Sequence, residues 1–235
     1  MTDREVGAAT QTAEALHAMK RAAAQAALAY VRPGEVLGIG TGSTVDAFID
    51  LLGSSGTRPM AAASSSERST LRLQSLGIAV VDAGQLDELG IYVDGADEAD
   101  PSGCLIKGGG GALTREKILA ELAQTFVCMV DASKRVQRLG RFALPIEVVS
   151  LAVAQISRRL RALGAEVSLR RDFRSDNGHP ILDASGLVVD DPAGLESEIN
   201  QWPGVVTVGL FARRRPDVLL TASADGSVRT ERFPA

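Results

Sequence analysis

Hydrophobic positions in the first part of the chain alternate between helical spacing and short apolar runs. The helical spacing predicts four helices, at residues 12–31, 45–52, 68–76 and 114–124. Apolar runs bounded by glycine, proline or polar residues predict five strands, at residues 35–39, 60–64, 78–81, 91–93 and 126–130. Strands that alternate with helices at this spacing form parallel β-α-β units, with helices on both faces of the sheet.

The pattern changes at about residue 142. It then predicts four strands, at residues 146–150, 166–170, 180–184 and 205–211, and two helices, at residues 152–163 and 195–201. Their order, β-α-β-β-α-β, is the split βαβ plan of a ferredoxin-like domain. Two last strands, at 217–222 and 227–233, flank an Asp225-Gly226 turn and are predicted to return to the first sheet as a hairpin.

These patterns predict an α/β protein with two domains. Residues 1–142 and 212–235 are predicted to form a Rossmann-like parallel-sheet domain. Residues 143–211 are predicted to form a smaller ferredoxin-like α+β domain, inserted before the C-terminal hairpin. The length of 235 residues allows either one domain or two, at roughly 100–200 residues per domain.

Composition restricts the class of protein. Hydrophobic residues at 45% and charged residues at 23% are ordinary globular values, and they argue against global disorder. A net charge of −4 gives no electrostatic signature of nucleic-acid binding. Two cysteines form neither a disulfide framework nor a zinc pattern, and no apolar stretch reaches the roughly 18 residues that span a bilayer. We therefore expect a cytoplasmic protein without nucleic-acid or membrane partners.

The segment 38–44 (GIGTGST) follows a predicted strand and begins a predicted helix. Glycines let the backbone approach a ligand, and the free N–H groups of a helix start attract anions. The segment departs from the dinucleotide fingerprint because Ser43 stands in place of the third glycine, and from the phosphate-loop signature because it has no lysine. The pattern favours a small phosphate ester, and the alternative is a tight turn without a ligand.

The segment 94–98 (DGADE) places carboxylates at the end of another strand. Asp94 and Asp97 are three residues apart with a glycine between them, so a turn can bring both to one side. Paired carboxylates suit acid–base chemistry, because neighbouring like charges separate their proton affinities. They could also hold a divalent metal, although no third ligand is suitably spaced, or they could form a solvated turn.

Four consecutive glycines, 108–111, follow Lys107 directly. Such a run is costly in chain entropy, and a nest of backbone amides that binds an oxyanion beside the Lys107 ammonium would offset that cost. Thr114 is predicted as the N-cap of the next helix, which places Glu116 in the first helical turn. Most glutamates in a first turn only stabilise the helix dipole, but this one would lie beside the oxyanion site.

Lysine is rare in this chain, since only four of its 25 basic residues are lysines. Lys107 precedes the glycine run, and Lys134 follows another predicted strand. Lys20 lies in the first predicted helix, from which it could reach a phosphate. Lys117 is predicted to lie on a helix surface without a special role.

Together these segments resemble the type A ribose-5-phosphate isomerases. The motifs that carry the resemblance are 38–44 (GIGTGST), 94–98 (DGADE), 107–110 (KGGG), 113–117 (LTREK) and 131–134 (DASK). Several ordered motifs are far more specific than any one of them, and the resemblance runs from about Lys20 to the C-terminal hairpin. Gly111 and Ser150 depart from the alanine and proline of the family pattern, and neither is a candidate catalytic group.

The resemblance implies an isomerase that converts ribose 5-phosphate to ribulose 5-phosphate through a cis-enediolate, without a metal or an organic cofactor. It implies that Glu116 is the base. It further implies that Asp94 and Lys107 are acid–base partners in ring opening and that Asp97 holds sugar hydroxyls. The substrate-binding residues that it implies are Lys20, Thr41, Gly42, Ser43, Thr44, Gly95, Ala96, Gly108, Gly109, Gly110 and Lys134.

Three other functions are consistent with parts of the sequence. A sugar-phosphate sensor without activity would lack the base and carry a DNA-binding module, but Glu116 is present and no such module is recognisable. An amino-sugar phosphate isomerase would need a group that handles ammonia, and His17 and His179 are poorly placed for that. A nucleotide-binding transferase conflicts with the incomplete fingerprint. The resemblance also implies a homodimer or homotetramer, and the sequence does not distinguish between them.

Overall fold

The structure is a computed structural model that describes residues 3–233 and the side chains of residues 13–233. Its helices are α1 (Asp3–Ala27), α2 (Ser43–Ser54), α3 (Glu67–Ser75), α4 (Leu113–Leu122), α5 (Val153–Ala162) and α6 (Pro192–Asn200). Its strands are β1 (Val36–Ile39), β2 (Ala61–Ser64), β3 (Leu89–Gly95), β4 (Glu98–Ala99), β5 (Leu105–Ile106), β6 (Ala123–Asp131), β7 (Leu144–Val148), β8 (Glu166–Leu169), β9 (Ile181–Ser185), β10 (Val205–Val208), β11 (Leu210–Phe211), β12 (Val218–Ala222) and β13 (Val228–Arg232).

The large sheet has six strands in the order β13-β12-β6-β3-β1-β2. All neighbours are parallel except β13, which returns antiparallel to β12 as the predicted C-terminal hairpin. Both faces of the sheet are covered, as parallel sheets require. Along β3, Ile91 and Val93 pack in the core that includes Phe48 of α2, whereas Tyr92 packs on the opposite face with Leu119 of α4.

The order of the strands creates a crevice at one edge of this sheet. The chain runs from β1 outward to β2 and then crosses back to β3 on the other side of β1. In open parallel sheets, ligands bind outside the carboxyl ends of the strands where the order reverses in this way. The loops that follow β1, β2, β3 and β6 therefore meet at one edge.

The smaller sheet is antiparallel, with the order β10-β7-β9-β8, and α5 and α6 complete its β-α-β-β-α-β sequence. Its own core contains Ile146, Ile156 and Trp202. Short strands β4, β5 and β11 form a third sheet beside the crevice. The predicted α/β fold class is confirmed, whereas the domain boundaries at residues 142 and 212 stay a prediction.

Two predicted strands differ in the structure. The predicted strand 78–81 makes only a single bridge, from Val80 to Ala62. The predicted strand 205–211 divides at Gly209 into β10 and β11, which belong to different sheets. Gly209 accepts a hydrogen bond from the Lys107 N–H and donates one to the Pro145 carbonyl, and a Cβ there would lie 2.3 Å from the Lys107 carbonyl oxygen. The close crossing of two chain segments therefore interrupts the strand.

Helix ends also differ from their predicted positions. The first helix begins at Asp3 rather than at residue 12, and α4 ends at Leu122, where the chain enters β6 directly. Across the part of the chain that the structure describes, no helix combines the length and the apolar character that crossing a bilayer requires.

Candidate active site

Asp94, at the carboxyl end of β3, is fully buried and accepts four hydrogen bonds. Its Oδ1 accepts from the backbone N–H groups of Thr41, at 3.1 Å, and Gly95, at 2.7 Å. Its Oδ2 accepts from the Tyr92 hydroxyl and, at 2.7 Å, from Lys107 Nζ. Asp94 thus connects the loop after β1 to Lys107, and its carboxylate has no free face toward solvent.

Lys107 lies between two buried carboxylates. Its Nζ donates to Asp94 Oδ2 and, at 2.6 Å, to the Gly95 carbonyl oxygen, and it lies 3.1 Å from Glu116 Oε2. Lys107 is 2% exposed and Glu116 is 3% exposed. Within the described residues, Glu116 Oε2 has this charge contact but no aligned hydrogen bond. A buried carboxylate oxygen in that condition is free to accept a proton.

The environment raises the pKa of Glu116 to about 8. Burial is the largest cause, and the neighbouring Asp94 carboxylate adds to it, whereas the Lys107 ammonium acts in the opposite direction. For Lys107, burial alone would lower the pKa, but Asp94 and Glu116 outweigh it and the pKa is raised. Lys107 therefore stays charged, while Glu116 gains and loses a proton near neutral pH.

Glu116 extends from the first turn of α4, as predicted, but the predicted N-cap is wrong. The cap residue is Ala112, whose carbonyl accepts from the Glu116 N–H at 2.9 Å. The Thr114 hydroxyl instead donates to Glu147 Oε2 at 2.5 Å, and Glu147 Oε1 accepts from the Ser175 hydroxyl at 2.8 Å. Because Glu147 lies on β7, the start of α4 is held by the smaller sheet.

The glycine run turns back on itself beside Asp97. The Gly111 N–H donates to the Gly108 carbonyl at 2.9 Å, and both residues have positive φ, +85° and +107°. The Gly109 N–H donates to Asp97 Oδ2 at 2.7 Å. The positive φ of Gly108 and Gly111 favours glycine at both positions. A Cβ at position 111, as in the alanine of the family pattern, would lie 2.3 Å from the half-buried Phe173 ring, which would have to move.

The loop after β1 forms the other end of the cleft. Gly42 has φ +105° and precedes Ser43, the first residue of α2, so the free N–H groups of the helix start face the cleft. Lys20 Nζ donates to the Ser43 hydroxyl at 2.8 Å, which brings a cation from α1 to the same point. Gly40 lets this loop lie directly against Asp94, because a Cβ at position 40 would lie 1.9 Å from the Asp94 carboxyl group.

The structure brings the predicted site residues together around one cleft of about 320 Å³. Asp94 lies behind Lys107 rather than in the wall. The predicted residues that line the cleft are Lys20, Thr41, Gly42, Ser43, Thr44, Gly95, Ala96, Asp97, Lys107, Gly108, Gly109, Gly110, Glu116 and Lys134. No group of three or more His, Cys, Asp or Glu side chains within residues 13–233 is arranged to hold a metal ion.

Sequence reasoning missed several side chains in the wall: Ser66, Arg68, Phe173, Arg174 and Asp176. Ser66 follows β2 at the same sheet edge, and its hydroxyl donates to Thr41 Oγ1 at 3.0 Å. The rule that ligand-binding loops follow the carboxyl ends of parallel strands could have predicted Ser66 as a site residue. The segment 173–176 belongs to the smaller domain, and Asp176 Oδ2 accepts from the Glu67 N–H at 2.9 Å. No pattern in the sequence indicates that contact between domains.

The chain matches one protein family over most of its length. Residues 61–226 match the family model described as ribose 5-phosphate isomerase A (phosphoriboisomerase A). The chain is 54% identical over 215 residues to a ribose-5-phosphate isomerase A of Methylibium petroleiphilum, with 92% of this chain and 98% of that protein covered. It is also 54% identical over 216 residues to the enzyme of the same name from Leptothrix cholodnii, with the same coverage.

Solved structures agree with this similarity. A crystal structure of ribose 5 phosphate isomerase A from Neisseria gonorrhoeae superposes with a TM-score of 0.90 at 40% identity, covering 94% of this chain and 98% of that one. A D-ribose-5-phosphate isomerase in complex with phospho-erythronic acid gives a TM-score of 0.86 at 35% identity, covering 91% and 97% of the two chains. The similarity therefore extends over nearly the whole fold.

Proposed function

This chain belongs to the ribose 5-phosphate isomerase A family and interconverts D-ribose 5-phosphate and D-ribulose 5-phosphate through a cis-enediolate, and we propose that Glu116 is the base that carries the proton. The observation that supports this role is the Glu116 carboxylate itself. It is buried, it faces the cleft, and its Oε2 lacks an aligned hydrogen bond within the described residues. The Lys107 ammonium and the glycine run lie beside it.

The chemistry requires one group that both removes and returns a proton. Glu116 takes the proton from carbon-2 of the open-chain aldehyde, the electrons of that C–H bond form the C1=C2 double bond, and the charge moves to O1. A proton then passes from O2 to O1. Glu116 returns its proton to carbon-1, and the C2=O bond of the ketose forms. A base with a pKa near the working pH is efficient in both directions.

Charge on the enediolate oxygens needs stabilisation where it develops. The Lys107 ammonium and the glycine run line the space in front of Glu116. Because the Gly109 N–H is held by Asp97 and the Gly111 N–H by the Gly108 carbonyl, the Gly110 N–H is the donor of the run that we assign to the enediolate. Each well-placed donor of this kind contributes about 3–4 kcal/mol to the transition state. Asp94 acts from behind, because its hydrogen bond fixes the Lys107 ammonium. Asp97 holds the Gly109 N–H and keeps its second carboxylate oxygen for sugar hydroxyls.

Ring opening precedes the proton transfer between carbons. A proton leaves the O1 hydroxyl, a proton is delivered to the ring oxygen, and the bond between carbon-1 and that oxygen breaks. Lys107 gives a proton to the ring oxygen and Asp97 accepts the hydroxyl proton, since both line the cleft. That proton then passes from Asp97 to Lys107, so the ammonium is restored before the enediolate forms. Asp94 takes part through Lys107.

The phosphate occupies the end of the cleft that is formed by the segment 41–44. Its backbone N–H groups lie at the start of α2, its hydroxyls add donors, and Lys20 and Lys134 add positive charge. Because a solved relative was obtained with phospho-erythronic acid, we propose that this chain binds the same compound. Its phosphate would bind to segment 41–44, and its carboxylate would replace the enediolate oxygens.

A direct assay tests the function. Purified, chelator-treated protein is mixed with ribose 5-phosphate, and the ketose is followed by its absorbance after a specific colour reaction. Ribulose 5-phosphate is expected to accumulate to the same equilibrium ratio from either direction. An inactive protein that still binds ribose 5-phosphate would instead indicate the sensor function.

The pH dependence follows from the raised pKa of Glu116. The base acts as a carboxylate, so kcat/KM is expected to rise with pH and to level off above about pH 8. The second ionisation of the substrate phosphate lies near pH 6, so its effect on the profile can be distinguished from that of Glu116. In Asp94→Asn the charge that helps to raise the pKa of Glu116 is lost, so the inflection of the residual activity should move to lower pH. A flat profile from pH 6.5 to 9 would contradict this assignment.

Lys20→Met tests the phosphate end of the cleft. Loss of one charged donor is expected to raise KM about tenfold to a hundredfold while kcat changes less than about threefold, because the phosphate is bound equally in the ground and transition states. Arg21→Met is the matched control, since Arg21 is the exposed neighbour on the same helix. An unchanged KM in Lys20→Met would remove Lys20 from the site.

We propose further that the protein works in the cytoplasm as a homodimer or homotetramer, as its family suggests. Sedimentation at several protein concentrations distinguishes these states, and a monomer at assay concentration would contradict the proposal.

A further inference from the structure

The glycine run is contacted by a cation of the smaller domain that lies outside the cleft. Arg170 follows β8, and its guanidinium donates from Nη2 to the Gly108 carbonyl and from Nη1 to the Gly109 carbonyl, each at 3.1 Å. The same guanidinium forms a two-pronged pair with Asp183, with Nε and Nη2 each 2.7 Å from a carboxylate oxygen. Four of its five N–H donors are thus used in one plane.

Asp183 makes this contact rigid. It lies on β9, one of the two central strands of the smaller sheet, where it pairs with Pro145 of β7 and Ser168 of β8. The side chains of Arg170 and Asp183 are only 15% and 21% exposed. A planar fork held by a strand residue has little freedom, so the two glycine carbonyls face a fixed partner.

Peptide geometry transmits this contact to the cleft. In a planar trans peptide, the carbonyl of one residue and the N–H of the next point in opposite directions. With the Gly108 carbonyl held by Arg170, the Gly109 N–H points to the other side, where it donates to Asp97 in the cleft wall. By the same rule, holding the Gly109 carbonyl turns the Gly110 N–H away from Arg170.

A run of glycines cannot fix these orientations by itself, because glycine populates both signs of φ with similar ease. A bound guanidinium also polarises each peptide group and strengthens the N–H on its far side as a donor. We propose that Arg170, held by Asp183, is a positioning residue that keeps the Gly109 N–H on Asp97 and orients and polarises the Gly110 N–H for the enediolate. This inference rests on the proposed function of the cleft.

The test compares substrate turnover with the binding of phospho-erythronic acid as a competitive inhibitor. In Arg170→Met, kcat is expected to fall about 10- to 100-fold and the inhibition constant of phospho-erythronic acid to rise by a similar factor, with KM changed less than about threefold. For Arg170→Lys, kcat and the inhibition constant should lie between those of the unmodified protein and those of Arg170→Met, since lysine keeps the charge but cannot form the two-pronged pair. Arg138→Met removes an exposed arginine that pairs with Asp190, and it should change none of these constants.

A purely structural role gives a different result. Misfolding lowers the active fraction, which reduces apparent kcat but leaves the inhibition constant unchanged, and that outcome would overturn the proposal. Arg170→Met combined with Asp183→Asn leaves no unpaired carboxylate, so it should fold and still show the raised inhibition constant. Glu116→Gln in the same assays tests the base separately: retained turnover there would reject the base, while the Arg170 effect on inhibitor binding would stand.

Discussion

Replacing Glu116 with glutamine is expected to lower kcat by about 10³-fold, with KM for ribose 5-phosphate within about threefold of the unmodified protein. The amide keeps the size of the side chain and its place beside Lys107, but it cannot take the proton from carbon-2. Steady-state rates in both directions measure the loss. A second, independent measure is exchange of the carbon-2 hydrogen with deuterated solvent, which should disappear together with turnover.

The matched control is Glu121→Gln, an exposed glutamate on the same helix, and it should retain full activity. Stability provides the control for folding. Because burial raises the pKa of Glu116 to about 8, the ionised carboxylate destabilises the fold as pH rises through that value. Glu116→Gln removes this cost, so its unfolding temperature at pH 9 should equal or exceed that of the unmodified protein. An inactive variant with a lower unfolding temperature would not support the role of Glu116 as the base.

Much of the site was predictable because parallel strands end at one edge. The segments after residues 39, 93 and 130 each carried polar or glycine-rich motifs, and alternating helices and strands were sufficient to place them together. The fold class, the family and the function were confirmed. The roles of individual residues stay a prediction that the variants must test.

Other features depend on contacts between segments that are distant in the sequence. Gly209 ends a strand because another backbone crosses it, and nothing in an apolar run reveals such a crossing. Lys117, predicted at the helix surface, is partly buried, with its side chain only 15% exposed. Its Nζ donates to Glu196 and lies 4.6 Å from the centroid of the Phe211 ring. Arg170 reaches the glycine run only because the smaller sheet packs there. The pattern of hydrophobic and polar positions predicts which surface of a helix or strand is buried, but it does not predict which other element covers that surface.

The second large effect is expected for Lys107→Met. Without its ammonium, Asp94 and Glu116 become two buried carboxylates that face each other without a cation. Leaving a buried charge uncompensated costs about 3–5 kcal/mol of stability, and losing an oxyanion donor costs about 10²–10³ in kcat. Both losses should appear in the same variant, as a lower unfolding temperature and as slow turnover of correctly folded protein.

Comparison with another lysine of the cleft isolates the role of burial. Lys134→Met should raise KM for ribose 5-phosphate and leave the unfolding temperature nearly unchanged, because Lys134 is partly exposed and lies after β6 rather than between the carboxylates. Equal destabilisation by Lys107→Met and Lys134→Met would contradict the ion cluster as described.

The pH dependence of Lys107→Met provides the sharpest test, because Asp94 raises the pKa of Glu116 whereas Lys107 lowers it. Lys107 acts to lower the pKa of Glu116, so its loss should move the inflection of the residual activity above the value of about 8 expected for the unmodified protein. The destabilisation should also shrink as pH falls, since Glu116 then takes up a proton and one buried charge disappears. Adding Glu116→Gln should therefore recover part of the lost stability at pH 9 but little at pH 5. A loss of stability that is the same at both pH values would show that Lys107 acts through packing rather than through charge.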